Sequence, residues 1–314
     1  MFPSLSNSIK YLEIQIPHAH IFHTFHNLNY QFNSRKRRGR TLDKISIVTP
    51  CYNAEKYIME TVQSVITQTA VDSGRVELEY IICDGGSTDR TIELINSVNS
   101  GFIKIISEPD AGMYHALSKG FQLATGDICA YLNAGDYYSR HAFDVVLDLF
   151  ETKPVKWLTG LNVSYNDRSQ FVSSFLPFKY RKNLLGCGYY GMKLPFLQQE
   201  STFWSRKLNK LIDYDFWPTF KYAGDYYLWR RFSEVTELKI VDAYLGGFRF
   251  HKGQLSENLE AYFAEMRSIG TKPGIKEFIT LQFDRLIWMG DAKLKKRLNR
   301  DGLFQYNHQL QKWE

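Results

Sequence analysis

The segment from Leu78 to Asp89 constrains the fold more than any other part of this chain. It begins with an apolar run, Leu78 to Cys83, that predicts a buried strand. It continues with an acid, two glycines and residue types that cap helices, Asp84-Gly85-Gly86-Ser87-Thr88-Asp89. In an open α/β sheet, ligands bind just beyond the carboxyl ends of the strands, where glycines allow close approach to the backbone. The segment therefore predicts either a ligand-binding strand end or a plain strand–turn–helix junction with Asp89 as the cap.

Strands and helices alternate along the first half of the chain. Apolar runs predict strands at 45–48, 78–83, 103–106 and 128–132. Helical spacing of apolar residues predicts helices at 57–68, 91–98, 113–124 and 140–150. This alternation is typical of a mainly parallel sheet with helices on both faces. After Trp157 the pattern becomes irregular and rich in aromatic residues, as expected where a substrate site is built.

Composition favours a cytoplasmic globular protein. The chain has 314 residues, 44% of them hydrophobic, enough for one large domain or two modest ones. No run approaches the ~18 apolar residues of a membrane span, and residues 1–20 do not resemble a secretory signal. The four cysteines form no close pairs, so we expect small buried thiols in a reducing compartment rather than disulfides or a zinc site.

The net charge of +6 is concentrated at the two ends of the chain. Residues 1–42 carry six basic and one acidic residue, and residues 271–314 carry nine and five. The remainder is therefore mildly acidic, at 6 − 5 − 4 = −3. A nucleic-acid partner is not expected, because a basic working face is missing. The basic ends could contact an anionic membrane surface or could simply be solvated.

Polar side chains follow three of the predicted strands: Asn53, Asp84 and Asp136. Right-handed crossovers would place these strand ends along one edge of the sheet. The sequence has neither a Gly-x-Gly-x-x-Gly turn after the first strand nor a Gly-x-x-x-x-Gly-Lys-Ser/Thr loop. If the ligand carries phosphate, we therefore expect a metal bridged to a carboxylate to hold it.

Together, these motifs make the chain resemble a family 2 glycosyltransferase with the GT-A fold over about residues 44–256. The matching segments begin with Ser46-Ile47-Val48-Thr49-Pro50-Cys51-Tyr52-Asn53, Asp84-Gly85-Gly86-Ser87-Thr88-Asp89, Ser107-Glu108-Pro109-Asp110-Ala111-Gly112-Met113-Tyr114 and Leu132-Asn133-Ala134-Gly135-Asp136. They continue with Gln199-Glu200-Ser201-Thr202-Phe203-Trp204, Gly224-Asp225-Tyr226-Tyr227-Leu228-Trp229 and His251-Lys252-Gly253-Gln254-Leu255-Ser256. Each motif is weak alone, and their order and spacing carry the resemblance.

The resemblance implies inverting transfer of a sugar from a nucleotide-diphosphate donor, with UDP-sugar favoured, to an acceptor hydroxyl. It also implies a divalent cation, Mn²⁺ or Mg²⁺, at the leaving diphosphate and a general base at the acceptor. Many relatives act on lipid-linked acceptors, so a glycan or lipid-linked acceptor and a position at the inner face of the cytoplasmic membrane are expected. Spanning helices and the Gln-x-x-Arg-Trp motif of processive synthases are missing, so single addition is favoured.

The family's functional positions are carried over by motif. Asp225 would be the catalytic base, and N-capping is its structural alternative. Asp136 and His251 would be metal ligands, and a loop histidine with a structural hydrogen bond is the alternative for His251. The nucleotide would contact Pro50, Tyr52, Asn53, Asp84, Gly85 and Gly86. The donor sugar would contact Asp110, Gly112, Tyr114 and Asn133, although Asp110 could instead cap the helix at 113–124. The acceptor would meet Gln199, Glu200 and Trp204, the last by stacking.

The chain departs from the family pattern at two places. Asn-Ala-Gly-Asp at 133–136 lacks the first acid of the usual metal-binding pair, and His115 and Ser118 replace an acid and an asparagine after Tyr114. These departures leave open a non-catalytic relative that binds a nucleotide sugar or a glycan. A nucleotidyltransferase is disfavoured, because the loop after the first strand is not a glycine-rich loop with Arg and Lys.

The expected domain organisation has three parts. Residues 1–42 form a basic extension, and residues 43–256 form the GT-A domain. Within that domain, 43–150 is the nucleotide-binding half and 151–256 the acceptor half. Residues 257–314 form a basic helical extension. Apolar residues recur at helical spacing over 275–298, where core packing is the default expectation and membrane docking the alternative: Ile279, Phe283, Leu286, Ile287, Leu294 and Leu298.

Overall fold

The structure is a computed structural model that describes residues 44–314, so the predicted basic extension at 1–42 lies outside the described residues. Its strands are β1 (Lys44–Cys51), β2 (Glu77–Asp84), β3 (Ile103–Ser107), β4 (Ile128–Tyr131), β5 (Tyr137–Tyr138), β6 (Trp157–Thr159), β7 (Asn162–Tyr165), β8 (Phe171–Phe175), β9 (Thr202–Ser205), β10 (Lys239–Val241), β11 (Gly246–Arg249), β12 (Leu303–Phe304), β13 (Tyr306–Asn307) and β14 (Lys312–Trp313). Its helices are α1 (Ile58–Ile66), α2 (Thr69–Asp72), α3 (Thr91–Ser97), α4 (Met113–Leu123), α5 (Ala142–Thr152), α6 (Lys182–Gly186), α7 (Tyr189–Met192), α8 (Gly224–Ser233), α9 (Leu259–Ile269), α10 (Ile275–Trp288) and α11 (Ala292–Leu298).

The central sheet has eight strands in the order β12-β10-β6-β9-β4-β1-β2-β3. Its neighbours pair in parallel except where β9 runs antiparallel between β4 and β6. The sheet is mainly parallel, with helices around it, and this confirms the α/β fold expected from the sequence. A smaller sheet, β5-β11-β7-β8, lies beside it.

The register of β1, β2 and β3 brings their carboxyl ends together. Cys51 at the end of β1 pairs with Asp84 at the end of β2, and Asp84 pairs with Ser107 at the end of β3. The side chains of β1 from Ile45 onward are buried, as expected for a strand covered on both faces. The loops that follow these strands therefore share one edge of the sheet.

Helix α4 packs closely on β1 and β2 because it carries a glycine at the contact. A Cβ on Gly120 would lie 2.4 Å from Val48 Cγ1 and 3.1 Å from Cys83 Sγ. Real Cβ atoms do not approach a neighbour that closely, so only glycine allows this spacing between helix and sheet. The close packing fixes α4, and with it the loop that joins β3 to α4.

Most predicted elements occur within a few residues of the expected bounds, and two details differ. The N-cap of α4 is Gly112, so Asp110 does not cap that helix. The apolar segment at 275–298 is divided between α10 and α11, and most of its apolar side chains are exposed rather than packed in the core. All four cysteines are buried free thiols, as predicted. Within residues 44–314, no helix combines the length and apolarity needed to cross a membrane.

Candidate active site

The loops after β1 and β2 are tied together by hydrogen bonds. The Asn53 N–H donates to Ser87 Oγ at 2.8 Å, and Asn53 Oδ1 accepts from the Thr88 N–H at 2.9 Å. Asn53 has φ 46°, a left-handed conformation that asparagine tolerates better than most residues. The neighbouring Tyr52 is exposed, so its ring is open to a ligand. Four of the six predicted nucleotide contacts thus belong to these two linked loops, and the other two, Pro50 and Asp84, lie in the last two residues of the preceding strands.

Asp84 organises this pair of loops. Its carboxylate accepts from the N–H groups of Gly86 and Ser87 at 3.1–3.2 Å, from Ser107 Oγ at 2.7 Å and from the Ser87 hydroxyl. The side chain is almost fully buried. Contact between Asp84 and a nucleotide remains a prediction, and in this structure both oxygens already have protein donors.

The loop after β3 reaches the same place. A Cβ on Gly85 would lie 2.9 Å from Asp110 Oδ2, so the Asp110 carboxylate lies directly against that glycine. Asp110 also accepts from the Gly112 N–H at 2.7 Å. Tyr114 is buried, and its hydroxyl donates to the Tyr222 carbonyl at 2.8 Å. Contact between Tyr114 and the donor sugar stays a prediction, and in this structure the hydroxyl proton already has a protein acceptor.

The loop Asn133–Asp136 follows β4 and is held in a tight turn. The Asp136 N–H donates to the Asn133 carbonyl at 3.0 Å, and Gly135 has φ 121°, a backbone conformation that L side chains rarely adopt. Thr61 on α1 donates to the Asp136 carbonyl at 2.7 Å and accepts from the Gly135 N–H at 2.9 Å. These bonds fix the position of the Asp136 side chain.

Arg249, at the end of β11, completes this support. Its backbone N–H donates to Asp136 Oδ1 at 2.9 Å, and its Nε donates to the Gly135 carbonyl at 2.7 Å. The guanidinium is buried between the rings of Tyr57 and Tyr137 and pairs with Glu60 at 2.6 Å. Asp136 itself is 3% exposed, and burial raises its pKa to about 7, against the opposing effect of Arg249.

His251 lies beside the same turn. Its Nδ1 is 3.0 Å from the Lys252 carbonyl, which favours the tautomer with the proton on Nδ1. Its Nε2 is then an acceptor and lies next to Gly135, where a Cβ would be 3.7 Å away. The ring packs against Tyr57 with centroids 5.0 Å apart. The structure therefore brings His251 to the turn that carries Asp136.

The donor atoms at this turn suit a divalent cation that is shared with a ligand. A carboxylate and an imidazole nitrogen are ordinary ligands of Mn²⁺, and diphosphate oxygens and water commonly supply the other positions. The Asn133 Oδ1 nearby is a buried oxygen that has no hydrogen-bond partner. Among residues 44–314, no three His, Cys, Asp or Glu side chains form a complete metal site. The residues fit a cation that binds together with diphosphate.

Asp225 lies in the first turn of α8 and is held by a tyrosine from α9. The Tyr262 hydroxyl lies 2.9 and 3.0 Å from the two oxygens of the Asp225 carboxylate. The Tyr114 hydroxyl is 3.4 Å from Oδ1. Burial raises the pKa of Asp225 to about 6, while these hydrogen bonds act in the opposite direction. Ala223 occupies the N-cap position of α8, and the Tyr226 N–H in the first turn also stabilises the ionised Asp225 carboxylate, so this side chain also supports the start of the helix.

The predicted acceptor residues are mostly internal. Gln199 and Glu200 lie in a buried 3₁₀ turn, and Glu200 Oε1 has no hydrogen-bond partner. Burial and the neighbouring charge of Asp136 hold the pKa of Glu200 well above its usual range. Trp204 is 0% exposed in β9 and donates its indole N–H to Asn209 at 2.8 Å. The expected stacking of a sugar on Trp204 is therefore wrong for this structure, because neither face of the ring is accessible.

Three residues that support the site were not predicted from the sequence: Thr61, Arg249 and Tyr262. Arg249 left the clearest signal, because it lies between two phenylalanines, Phe248 and Phe250, two residues before His251. A cation in apolar surroundings is usually paired, which points to a nearby acid. Thr61 and Tyr262 lie on ordinary helices and left no comparable pattern.

Comparison with known proteins agrees with this architecture. The sequence profile described as glycosyl transferase family 2 matches residues 46–209. Staphylococcus aureus TarS, solved in complex with UDP-GlcNAc, has a TM-score of 0.53 and 17% identity, over 82% of this chain and 72% of that one. The mannosyltransferase PcManGT from Pyrobaculum calidifontis, solved with GDP-Man and Mn²⁺, has a TM-score of 0.50 and 16% identity, over 81% of this chain and 70% of that one. Both share the fold.

Curated relatives match at higher identity. A chondroitin synthase of Pasteurella multocida is 34% identical over 38% of this chain, and the match covers only 12% of that synthase. An uncharacterized glycosyltransferase of Mycobacterium tuberculosis is 29% identical over 72% of this chain and 82% of its own length. An Escherichia coli UDP-Glc:alpha-D-GlcNAc-diphosphoundecaprenol beta-1,3-glucosyltransferase is 24% identical over 68% of this chain and 78% of its own length.

Proposed function

The chain belongs to glycosyl transferase family 2, and we propose that it transfers a single sugar from a nucleotide-diphosphate sugar to an acceptor hydroxyl, with inversion at the anomeric carbon. The single observation that carries this proposal is Asp225. Its pKa is raised to about 6, and Tyr262 holds its two oxygens in place. A positioned carboxylate with a pKa near the working pH is what general-base catalysis requires.

In the proposed step, Asp225 accepts the proton of the acceptor hydroxyl as the acceptor oxygen attacks the anomeric carbon. The bond from that carbon to the diphosphate oxygen breaks, and the nucleotide diphosphate leaves with the electron pair. Attack from the face opposite the leaving group inverts the configuration. With a pKa of about 6, Asp225 is mostly ionised at pH 7 and remains basic enough to share the proton in the transition state.

The donor nucleotide is proposed to bind on the linked loops after β1 and β2. Tyr52 offers an exposed ring for a base, and the backbone at Gly85 and Gly86 is open to close approach. Asp110, packed against Gly85, would accept from hydroxyl groups of the donor. UDP is the favoured nucleotide, in line with the UDP-GlcNAc bound by TarS, whereas PcManGT binds GDP-Man.

Asp136 and His251 are proposed to hold a divalent cation, Mn²⁺ or Mg²⁺, together with the donor diphosphate. When bound, such a cation neutralises charge that develops on the leaving diphosphate. The chain's own contribution is to fix the ligands: Thr61 and Arg249 hold the turn at 133–136, and the Lys252 carbonyl orients the His251 ring. These fixed ligands limit the reorganisation needed when the donor binds.

The acceptor is proposed to be a glycan or a lipid-linked glycan in polysaccharide, lipopolysaccharide or glycolipid assembly. The similarity to a chondroitin synthase and to the E. coli diphosphoundecaprenol glucosyltransferase supports this class. We also propose that the protein works at the inner face of the cytoplasmic membrane, which its basic ends would contact.

A donor panel tests the proposal. Purified protein is incubated with UDP-, GDP- and dTDP-sugars, Mn²⁺ and mixed glycan or lipid-diphosphate acceptors, and released nucleoside diphosphate is measured. We expect release with one donor class, loss of at least about a hundredfold in Asp225→Asn, and little change in the matched exposed variant Asp215→Asn. Glycan binding that persists in EDTA with no nucleotide release would instead support the non-catalytic relative, which the missing first acid at 133–136 favours.

A further inference from the structure

Helix α10 presents an apolar face to the solvent. Six large apolar side chains along it and at its end are between 55% and 81% exposed: Ile275, Phe278, Ile279, Phe283, Leu286 and Met289. At 3.6 residues per turn, these positions fall within about 140° of the helix circumference. We call them the apolar face of α10. Scattered apolar residues on a surface are ordinary, but a continuous stripe of this size marks a contact surface.

The opposite side of α10 already has its partners. Leu281, Ile287 and Trp288 are buried against the domain, and Asp284 pairs with Arg181 at 2.8 Å. A surface helix normally buries its apolar stripe and exposes its polar side. This helix buries one apolar side and leaves a second one open, so packing within the described residues does not account for the apolar face.

Most of the charges around the apolar face are basic and favour an anionic partner, and the exposed Asp291 just after the helix is an exception. Lys276 and Arg285 lie on its two edges and are exposed. Neither acid of the helix lies on the apolar face: the partly exposed Glu277 accepts from the Gly274 N–H and from Asn183, and Asp284 is buried. Further exposed cations lie just before and after the helix, at Lys272, Lys293, Arg297 and Arg300.

We propose that the apolar face of α10 docks on an anionic phospholipid surface, with the helix lying in the interface. An amphipathic helix with apolar residues on one face and cations at its edges binds in this way. A second copy of the chain is a poorer partner, because symmetric pairing of two such faces would bring their basic rims together. Lipid headgroups satisfy the cations, and the acyl boundary covers the apolar side chains.

The position of α10 links this surface to the site around Asp225. Tyr262, which contacts the Asp225 carboxylate, lies on α9, and only residues 270–274 separate α9 from α10. Docking through α10 would therefore hold the acceptor side of the site near the lipid surface. This last link rests on the proposed function, and docking through α10 names the surface that makes the membrane contact proposed there.

Vesicle flotation tests the proposal with the full chain. Vesicles of phosphatidylcholine alone are compared with vesicles that also contain phosphatidylglycerol. We expect binding only to the anionic vesicles, with affinity lowered at least about tenfold in Phe278→Ser/Leu286→Ser. In Lys276→Gln/Arg285→Gln we expect the affinity for anionic vesicles to fall by about fivefold per cation removed, hence by about 25-fold. The control Phe102→Ser/Leu123→Ser removes exposed apolar side chains elsewhere and should bind as the wild type does.

Three results would overturn the proposal. The first is wild-type protein that does not bind anionic vesicles. This result counts against the proposal even if removal of residues 1–43 restores binding. Equal binding by wild type and both α10 variants would assign the interaction to the basic segment 1–42. A dimer in light scattering that the Phe278→Ser/Leu286→Ser variant abolishes would identify a second copy as the occupant. Nucleotide release with a soluble acceptor is measured in every variant. The α10 variants should retain it, so a failure of docking and a failure of the proposed function are distinguishable.

Discussion

Replacing Tyr262 by phenylalanine isolates the contact that adjusts the proposed base. The Tyr262 hydroxyl lies 2.9 and 3.0 Å from the two Asp225 oxygens, and the change removes only that hydroxyl. The hydrogen bond stabilises the ionised carboxylate more than the neutral acid, so it lowers the pKa of Asp225. Its loss must therefore raise that pKa above the present value of about 6.

The magnitude follows from the strength of a hydrogen bond to a charged group. Such a bond contributes about 1.5–3 kcal/mol, and one pKa unit corresponds to about 1.4 kcal/mol. The pKa of Asp225 should therefore rise by about one to two units. Because the base must be ionised to act, the acid limb of kcat/KM should move to higher pH by the same amount.

The assay is nucleotide release measured from pH 5 to pH 9 at saturating Mn²⁺. Wild type should lose activity below about pH 6, and Tyr262→Phe should lose it about one to two units higher. Tyr222→Phe is the matched control, because the Tyr222 hydroxyl contacts Asn258 and not the Asp225 carboxylate. If the acid limb of kcat/KM lies at the same pH in Tyr262→Phe as in wild type, the Tyr262 hydroxyl does not lower the pKa of the catalytic base.

Three further predictions concern stability and reactivity. Arg249→Met should lower the free energy of unfolding by about 3 kcal/mol in urea titration, because it removes a buried guanidinium that bonds to Gly135, Ser169 and Glu60; an unchanged midpoint would contradict this. Gly120→Ala should lower the free energy of unfolding by about 1–3 kcal/mol, because the added Cβ would force α4 away from the sheet. Gly101→Ala has open space around the added Cβ and should leave the free energy of unfolding almost unchanged. Burial raises the pKa of Cys83 and Cys129 to about 12. A thiol reagent at pH 8 should therefore label these two cysteines only in denaturant. Labelling of the native protein would show that the core opens.

The regular part of the fold was predictable because it depends on local periodicity. The strand at 78–83 and the helix at 113–124 are specified by apolar spacing within single segments. Parallel pairing of such segments then brings the strand ends to one edge. The antiparallel strand β9 was not predictable, because nothing local to Thr202–Ser205 indicates that it inserts between β4 and β6. That insertion is what buries Trp204.

The support of the candidate site could not be predicted, because it depends on distant contacts. Asp136 and Arg249 are 113 positions apart in sequence, and Asp225 and Tyr262 are 37 apart. Neither pair forms a motif. Helical spacing likewise identified apolar residues on α10, but spacing does not tell which of two apolar sides faces the core. For that reason Ile287 is buried as expected, while Leu286 is exposed.

The proposed binding of a nucleotide diphosphate with a cation at Asp136 is tested by measuring whether nucleotide binding depends on Mn²⁺. Thermal unfolding is measured with UDP, GDP, dTDP and ADP, each with and without Mn²⁺, for wild type and for Asp136→Asn. A ligand that binds only the native state raises its stability by RT ln(1 + [L]/Kd). We expect a rise in Tm for one nucleotide that requires Mn²⁺ and is lost in Asp136→Asn. No rise with any nucleotide, or a rise that needs neither Mn²⁺ nor Asp136, would contradict the proposal.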